Sequence, residues 1–378
     1  MSNNQNMIKA KTKKDDEFYT LYTDVEKEVS LYSQYLKDKV IYCNCDNPFE
    51  SNFFKYFANN FKDLGIKKVI ATCFNNGKGA FKAVLEHQVE DIGEWLNNGN
   101  VTLLEGDGDF ASPECVALLD EADIIVTNEP FSLFRKFVAL LMEHKKQFLI
   151  IGNMNAIAYK EIFPLIKENK LWKGCTSPKE FVQPDGTTKK FGNICWFTNL
   201  PTEKREEYLD LFEEYSPDKY PMYDNYLAIN VDRVSDIPCN EWFEMTVDED
   251  RYNKLKATYG DDCVLIDGDD VNKQYHIKVR NIVMGVPITF LDKYCPKQFE
   301  IVGGSMDCEN TFCHIQKDYV KLGYKFFKQD GGVSGSGALR DKMSPKIPVK
   351  GKSDYSLAPD KTILSAVYNR IFIRKKPK

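Results

Sequence analysis

Between residues 38 and 200, short apolar runs alternate with stretches of helical period, the pattern that a parallel α/β sheet leaves in a sequence. The runs Val40–Cys45, Lys68–Cys73, Val101–Leu104, Asp123–Thr127, Gln147–Gly152 and Ile194–Thr198 are predicted strands, each short and rich in β-branched or aromatic residues. The clearest helix is predicted over Ser132–Lys146. There Leu133, Phe134, Phe137, Val138, Leu140 and Leu141 form one apolar stripe, and lysines close the last turn. Beyond residue 200 the character changes. Thr202–Phe212 reads as a charged helix, Tyr215–Tyr226 is rich in tyrosine, and Met284–Leu291 is apolar again. Asp330–Ala338 is rich in glycine and serine, and 331–352 is predicted as a mobile loop. The expected organisation is a large α/β domain over 1–200 and a smaller region over 201–378.

With 378 residues, 43% hydrophobic and 28% charged, the chain can bury the cores of two such regions. Its apolar runs fall far short of the roughly 18 residues of a membrane span. The first fourteen residues are polar and lysine-bearing, unlike a secretory signal, so a cytoplasmic location is expected. Eleven cysteines lack the paired spacing of a zinc site and read as free thiols. Cys308, Cys313 and His314 are the alternative, a metal cluster for which no fourth ligand is evident; no metal is expected. A net charge of −5 gives no general attraction to nucleic acid. Basic residues do cluster at Lys9, Lys11, Lys13 and Lys14, and again at Arg374, Lys375, Lys376 and Lys378. Such runs at chain ends are commonly solvated tails.

The segment Asp123–Phe131 changes the picture, because its apolar strand ends in Asn128, Glu129, Pro130 and Phe131. In open α/β sheets ligands lie beyond the carboxyl ends of strands. An Asn side-chain oxygen and the following carbonyl can accept both hydrogens of an exocyclic amino group while an aromatic ring stacks on the base. Pro130 holds Glu129 extended and so directs that carbonyl. Taken alone, the tetrapeptide reads more readily as a strand-to-helix turn, with Asn128 hydrogen-bonded locally and Phe131 in the core.

Further segments extend the pattern: Asp16–Thr20 (Asp-Glu-Phe-Tyr-Thr), Tyr42–Asp46 (Tyr-Cys-Asn-Cys-Asp), Ser51–Phe57, Gly106–Phe110 (Gly-Asp-Gly-Asp-Phe), Thr127–Phe134, Phe148–Asn153, Ala158–Phe163, Trp196–Leu200, Tyr223–Tyr226 and Met284–Phe290. In number, order and spacing they resemble the EcoRI-type DNA adenine methyltransferase family, from Asp16 to Phe290. The resemblance implies a Rossmann-like S-adenosylmethionine-dependent methyltransferase sheet with a smaller C-terminal DNA-recognition region, and methyl transfer to N6 of a flipped adenine. Asn128, Glu129, Pro130 and Phe131 match the catalytic tetrapeptide. The family's usual second position is proline, so Glu129 keeps the carbonyl, loses the fixed φ and brings a formal negative charge.

The same resemblance implies a cradle for S-adenosylmethionine. Tyr19 and Thr20 belong to the closing N-terminal motif, Asn44 and Asp46 to the loop after the first strand, and Asp109 and Phe110 to the turn that holds the cofactor's adenine. Expected partners are double-stranded DNA and, acting separately, a cognate restriction endonuclease; a monomer is expected and no membrane. Target choice is assigned to the region after residue 200, with 331–352 and the basic C-terminus as groove and phosphate contacts. Residues 238–281 read as an insertion, and Tyr220, Tyr223 and Tyr226 as packing or as support for the extruded base. Two other readings stay open: a protein glutamine methyltransferase using the same Asn-x-Pro-aromatic logic, and a DNA-binding relative disabled by Glu129.

Overall fold

Val40–Cys43, Ile124–Thr127 and Ile194–Thr198 are buried at every position, which only strands inside a covered sheet tolerate. The computed structural model describes residues 19–75, 79–183, 186–305, 312–327, 332, 344–348, 355–357 and 362–377. The chain forms two compact units that meet in sequence at Glu203 and Lys204.

Unit one begins with β1 (Tyr19–Thr20), α1 (Tyr22–Val29), β2 (Val40–Cys43), α2 (Asn52–Asn59), β3 (Lys68–Thr72) and β4 (Phe81–Leu85). There follow α3 (Ile92–Asn97), β5 (Val101–Leu103), α4 (Pro113–Glu121), β6 (Ile124–Thr127), α5 (Phe134–Glu143) and β7 (Gln147–Asn153). The unit closes with α6 (Phe163–Lys167), β8 (Trp172–Lys173), β9 (Glu180–Val182), β10 (Thr188–Lys190) and β11 (Ile194–Thr198). Eight strands make one sheet in the order β5-β4-β3-β2-β6-β7-β11-β8. Pairs β3/β2, β2/β6 and β6/β7 are parallel, whereas β3/β4, β4/β5, β7/β11 and β11/β8 are antiparallel.

The sheet is thus mixed, not parallel throughout as the pattern suggested. The chain between β3 and β4 is too short for a crossover, so it returns as a hairpin. β4 itself escaped notice because Phe81, Lys82 and Val84 are only half-buried, which blurs the apolar run. The predicted helix over 132–146 is shorter. Lys145 adopts φ +51° just past its end, and Lys146 reaches to the carbonyls of Asp120 and Ala122, capping α4 and not α5.

Unit two opens with β12 (Ala228–Asn230), β13 (Trp242–Asp248), α7 (Glu249–Tyr259), β14 (Cys263–Asp269), β15 (Gln274–Arg280), β16 (Val283–Pro287) and β17 (Phe299–Gly304). It continues through β18 (Lys325–Phe327), β19 (Lys346–Pro348), β20 (Tyr355–Leu357), β21 (Ile363–Ala366) and β22 (Arg370–Lys375). Three sheets result, ordered β12-β16-β22-β17, β13-β15-β14 and β18-β20-β21-β19. The segment 238–281 contains the second of these and α7, a small antiparallel excursion of its own. Most of 331–352, like Cys308, the basic residues before 15 and Lys378, lies outside the described residues.

Three expectations change here. The charged segment 202–212 forms only a single 3-10 turn, at Glu203–Arg205, and no longer helix. Buried Arg205 donates to the carbonyls of Leu291 and Tyr294, and the Gln298 amide bonds both the N–H and the C=O of Leu209, which takes the backbone out of helical pairing. Arg374 and Lys375 are no solvated tail: they lie in β22, an inner strand, where Arg374 pairs with Glu300 at 2.8 Å and Lys375 holds the Cys239 carbonyl at 2.9 Å. Tyr220, Tyr223 and Tyr226 are buried, which removes them as supports for an extruded base. Tyr223 donates to Asn230 Oδ1 at 2.7 Å, and Tyr226 stacks on Phe372 at 4.5 Å.

Gly285 carries that packing, since a Cβ there would meet the Tyr223 hydroxyl at 2.5 Å and its Cε2 at 2.6 Å. Gly285→Ala is expected to destabilise unit two by about 2 kcal/mol through overpacking, read as a lower urea midpoint. An unchanged midpoint would refute it.

Among the described residues no helix is long and apolar enough to cross a membrane. Nor do three His, Cys, Asp or Glu side chains gather there to hold a metal. Cys313 is buried, and the His314 ring packs edge-on against Tyr226.

Candidate active site

At the centre of the large sheet, β2 and β6 run parallel, and their carboxyl ends deliver two turns side by side. Thr127 ties them by donating its hydroxyl to the Asn44 carbonyl at 2.5 Å. Asn44 is buried and fixed in orientation. Its Oδ1 accepts from the Tyr42 hydroxyl at 2.8 Å and Thr72 Oγ1 at 3.1 Å, so its Nδ2 is left to donate to Glu129 Oε1 at 3.1 Å. Cys45 turns the chain with φ +52°. Asp46 then accepts a short hydrogen bond from Ser51, which also caps α2 by accepting from the N–H groups of Phe53 and Phe54 at 3.1 Å.

Two more segments converge there. The Gly106–Phe110 turn bonds Asn75 N–H to the Asp107 carbonyl at 2.9 Å, and the Cys45 thiol points at the Gly108 carbonyl. Gly108 has φ +79°, and a Cβ there would stand 2.2 Å from the Cys73 carbonyl oxygen, so only glycine fits. On the other side Tyr19 donates to Glu50 Oε2 at 2.5 Å, and Asn52 Nδ2 donates to the Thr20 carbonyl at 2.7 Å, which docks β1 on the start of α2.

Asn128, Pro130 and Phe131 are half-buried at the end of β6. The Leu133 N–H closes a turn on the Pro130 carbonyl at 2.9 Å, and Phe131 rests against the core. Asp109 is exposed, its Oδ1 accepting from Ala111 N–H at 2.8 Å. Phe110 departs from expectation: its ring is 7% exposed and packs edge-on against Phe137 at 5.2 Å, so it serves the core beneath the turn and not as an open stacking face. Sequence reasoning assigned no positioning role to Thr127 and Ser51, although both fall in the matched segments, and passed over Thr72; these three position the rest. Only Ser51 carried a signal, as a cap residue before an apolar helical run.

Glu129 also differs from its reading as a charged residue. It is 1% exposed, and burial, then neighbouring Asp46 and Asp109, push its carboxyl up to about 8 against the partial relief of the Cys45 thiol and Asn44 amide. Burial pushes Asp46 up to about 7, against the Ser51 hydrogen bond and Lys55. Both groups hold protons that the unfolded chain releases above its ordinary carboxyl range, so unfolding releases protons and stability falls as pH rises. The urea midpoint is expected to drop between about pH 5.5 and about pH 8.5, and less steeply in Glu129→Gln. A midpoint that rises over that window contradicts the assignment.

Two buried oxygens here, Thr20 Oγ1 and Glu129 Oε2, meet no oxygen or nitrogen donor or acceptor among the described residues. Both face the need for an external partner, because a buried polar atom left unbonded costs roughly 1–3 kcal/mol.

The family described as adenine-specific methyltransferase EcoRI matches residues 6–256 and 249–376. The type II methyltransferase M.EcoRI of Escherichia coli is 40% identical over 328 residues, covering 79% of this chain and 89% of its own. M.MpnI of Mycoplasma pneumoniae is 36% identical over 315 residues, covering 78% of this chain and 84% of its own. M.MgeORF184P of Mycoplasma genitalium is 35% identical over a segment of the same length, with the same shares. No solved structure matches. A mixed α/β sheet with Asn128–Phe131 at the end of its central strand, matched along nearly the whole chain, places this protein in the adenine-specific methyltransferase EcoRI family.

Proposed function

We propose that the chain transfers a methyl group from S-adenosylmethionine to N6 of a specific adenine in double-stranded DNA, with Asn128, Glu129, Pro130 and Phe131 at the reacting amine. One observation carries the reading: the tetrapeptide sits at the carboxyl end of β6 and is hydrogen-bonded, through Thr127 and Glu129, to the loop after β2. Base and donor sites would thus share one frame, and orientation is the larger part of such catalysis.

The Asn128 side-chain oxygen and the Glu129 carbonyl accept the two N6 hydrogens, which raises the lone-pair density that attacks the methyl carbon. Extruding an adenine costs a few kcal/mol. Stacking on Phe131, worth roughly 1–3 kcal/mol, offsets part of it. The cofactor supplies an already activated methyl on sulfur. Tyr19, Thr20, Asn44, Asp46 and Asp109 form its cradle, with Phe110 bracing the last of these turns from below. The orphaned Thr20 and Glu129 oxygens and the glycine-only approach at Gly108 fit a ligand of that kind.

Residues 201–378 are assigned to target recognition, with 238–281 as an insertion within it; a cytoplasmic enzyme acting as a monomer beside a separate restriction endonuclease completes the reading. Neither a glutamine-methylating enzyme nor a disabled relative is favoured by any feature, since the Glu129 side chain turns to Asn44 while its carbonyl is retained. The test is to incubate the protein with methyl-labelled S-adenosylmethionine and duplex DNA and to map N6-methyladenine. Label at one recurrent sequence is expected; label in protein, or none in DNA, would overturn the proposal.

A further inference from the structure

Glu129 stands where relatives of this type are expected to carry proline, so its side chain has no inherited role. It lies among Asp46 and Asp109, which face it from the turns after β2 and β5, with the Cys45 thiol beside it, and the charged side chains that chiefly act on it are both acidic. One oxygen is satisfied by Asn44 and the other, Oε2, meets no oxygen or nitrogen donor; the neighbouring thiol is a weak one. A buried carboxyl in that position calls for a donor and a positive charge.

We propose that Glu129 is a cofactor ligand: its Oε2 accepts a hydrogen bond from the methionyl ammonium of S-adenosylmethionine. This deepens the cofactor reading above and rests on it. The ammonium is the fitting partner because it has N–H donors, whereas a sulfonium offers charge without a donor. The balance is simple. The carboxylic O–H bond breaks, its proton passes to the buffer, and the carboxylate pairs with an ammonium that is already protonated.

Titration calorimetry in two buffers of different ionisation heat counts the protons released. With the carboxyl at about 8, wild-type protein at pH 7 should release about 0.9 proton per S-adenosylmethionine bound. S-adenosylhomocysteine, which keeps the ammonium, should do the same, and 5′-methylthioadenosine, which lacks it, should release none. Glu129→Gln should abolish the release. Should Glu129→Gln fail to fold, the wild-type affinity decides: it should tighten about tenfold per pH unit up to about 8 and then level off. Release that survives in Glu129→Gln, or occurs with S-adenosylmethionine but not S-adenosylhomocysteine, overturns the proposal. If all three ligands bind without proton release, the cofactor reading stands and this one falls. If none binds, the cofactor reading itself is wrong.

Discussion

Asn128→Ala is expected to lower methyl transfer to DNA by about a hundredfold or more, the loss seen when one preorganised hydrogen-bonding group at a reacting centre is removed. The side chain stands half-buried at the end of β6, outside the fully buried core, so the variant should unfold at a denaturant concentration close to the wild type's. Its proposed work begins only when an amine has a developing charge to shed, so the loss should appear in kcat, with the affinity for S-adenosylmethionine within about twofold. Single-turnover transfer of labelled methyl, alongside cofactor titration, separates these quantities. Transfer at the wild-type rate would remove Asn128 from the reaction, and a lost cofactor affinity would make it a cradle residue instead.

Gly108→Ala is expected to have the other large effect. The residue combines φ +79° with a carbonyl oxygen, that of Cys73, 2.2 Å from where a Cβ would stand. A left-handed conformation costs a non-glycine residue about 1–2 kcal/mol, and the contact with a backbone atom has no side chain to yield. The turn must move away from β3, taking with it the Cys45 and Asn75 contacts that join it to the neighbouring loops. Destabilisation of about 3 kcal/mol and at least a tenfold weaker cofactor affinity should follow, measured by thermal unfolding and ligand titration. If affinity and stability are both unchanged, the turn is not part of the cradle.

What the sequence disclosed depended on how each segment is buried. β2, β6, β7 and β11 were visible because both of their faces are covered and their apolar runs are unbroken. β4, half-exposed and interrupted by Lys82, was not, and with it went the antiparallel flank of the sheet. The charges of 202–212 imitate a helical face, but the segment's pairing is decided by Arg205 and by Gln298, a residue about ninety positions away that no local pattern reveals. At the site, residue types were legible and their states were not. A sequence gives Glu129 a formal charge, whereas the fold strips its water and favours the neutral acid. The tyrosines at 220, 223 and 226 likewise announce aromatic surface, and only the fold, which buries all three and packs Tyr223 and Tyr226 against Phe372, shows that the surface is internal.

The place of β22 bears on how the protein is made. Of the sheet β12-β16-β22-β17, the inner strand that bonds both β16 and β17 is the one the ribosome delivers after the other three. Every strand of the large sheet, by contrast, is available once residue 198 has emerged. The first unit can therefore acquire its structure while synthesis continues, as N-terminal domains commonly do. The second must wait, holding β16 and β17 with open edges that invite pairing with other nascent chains. A message truncated after Glu203 but before Arg370 should accordingly yield a folded first unit attached to an aggregation-prone remainder.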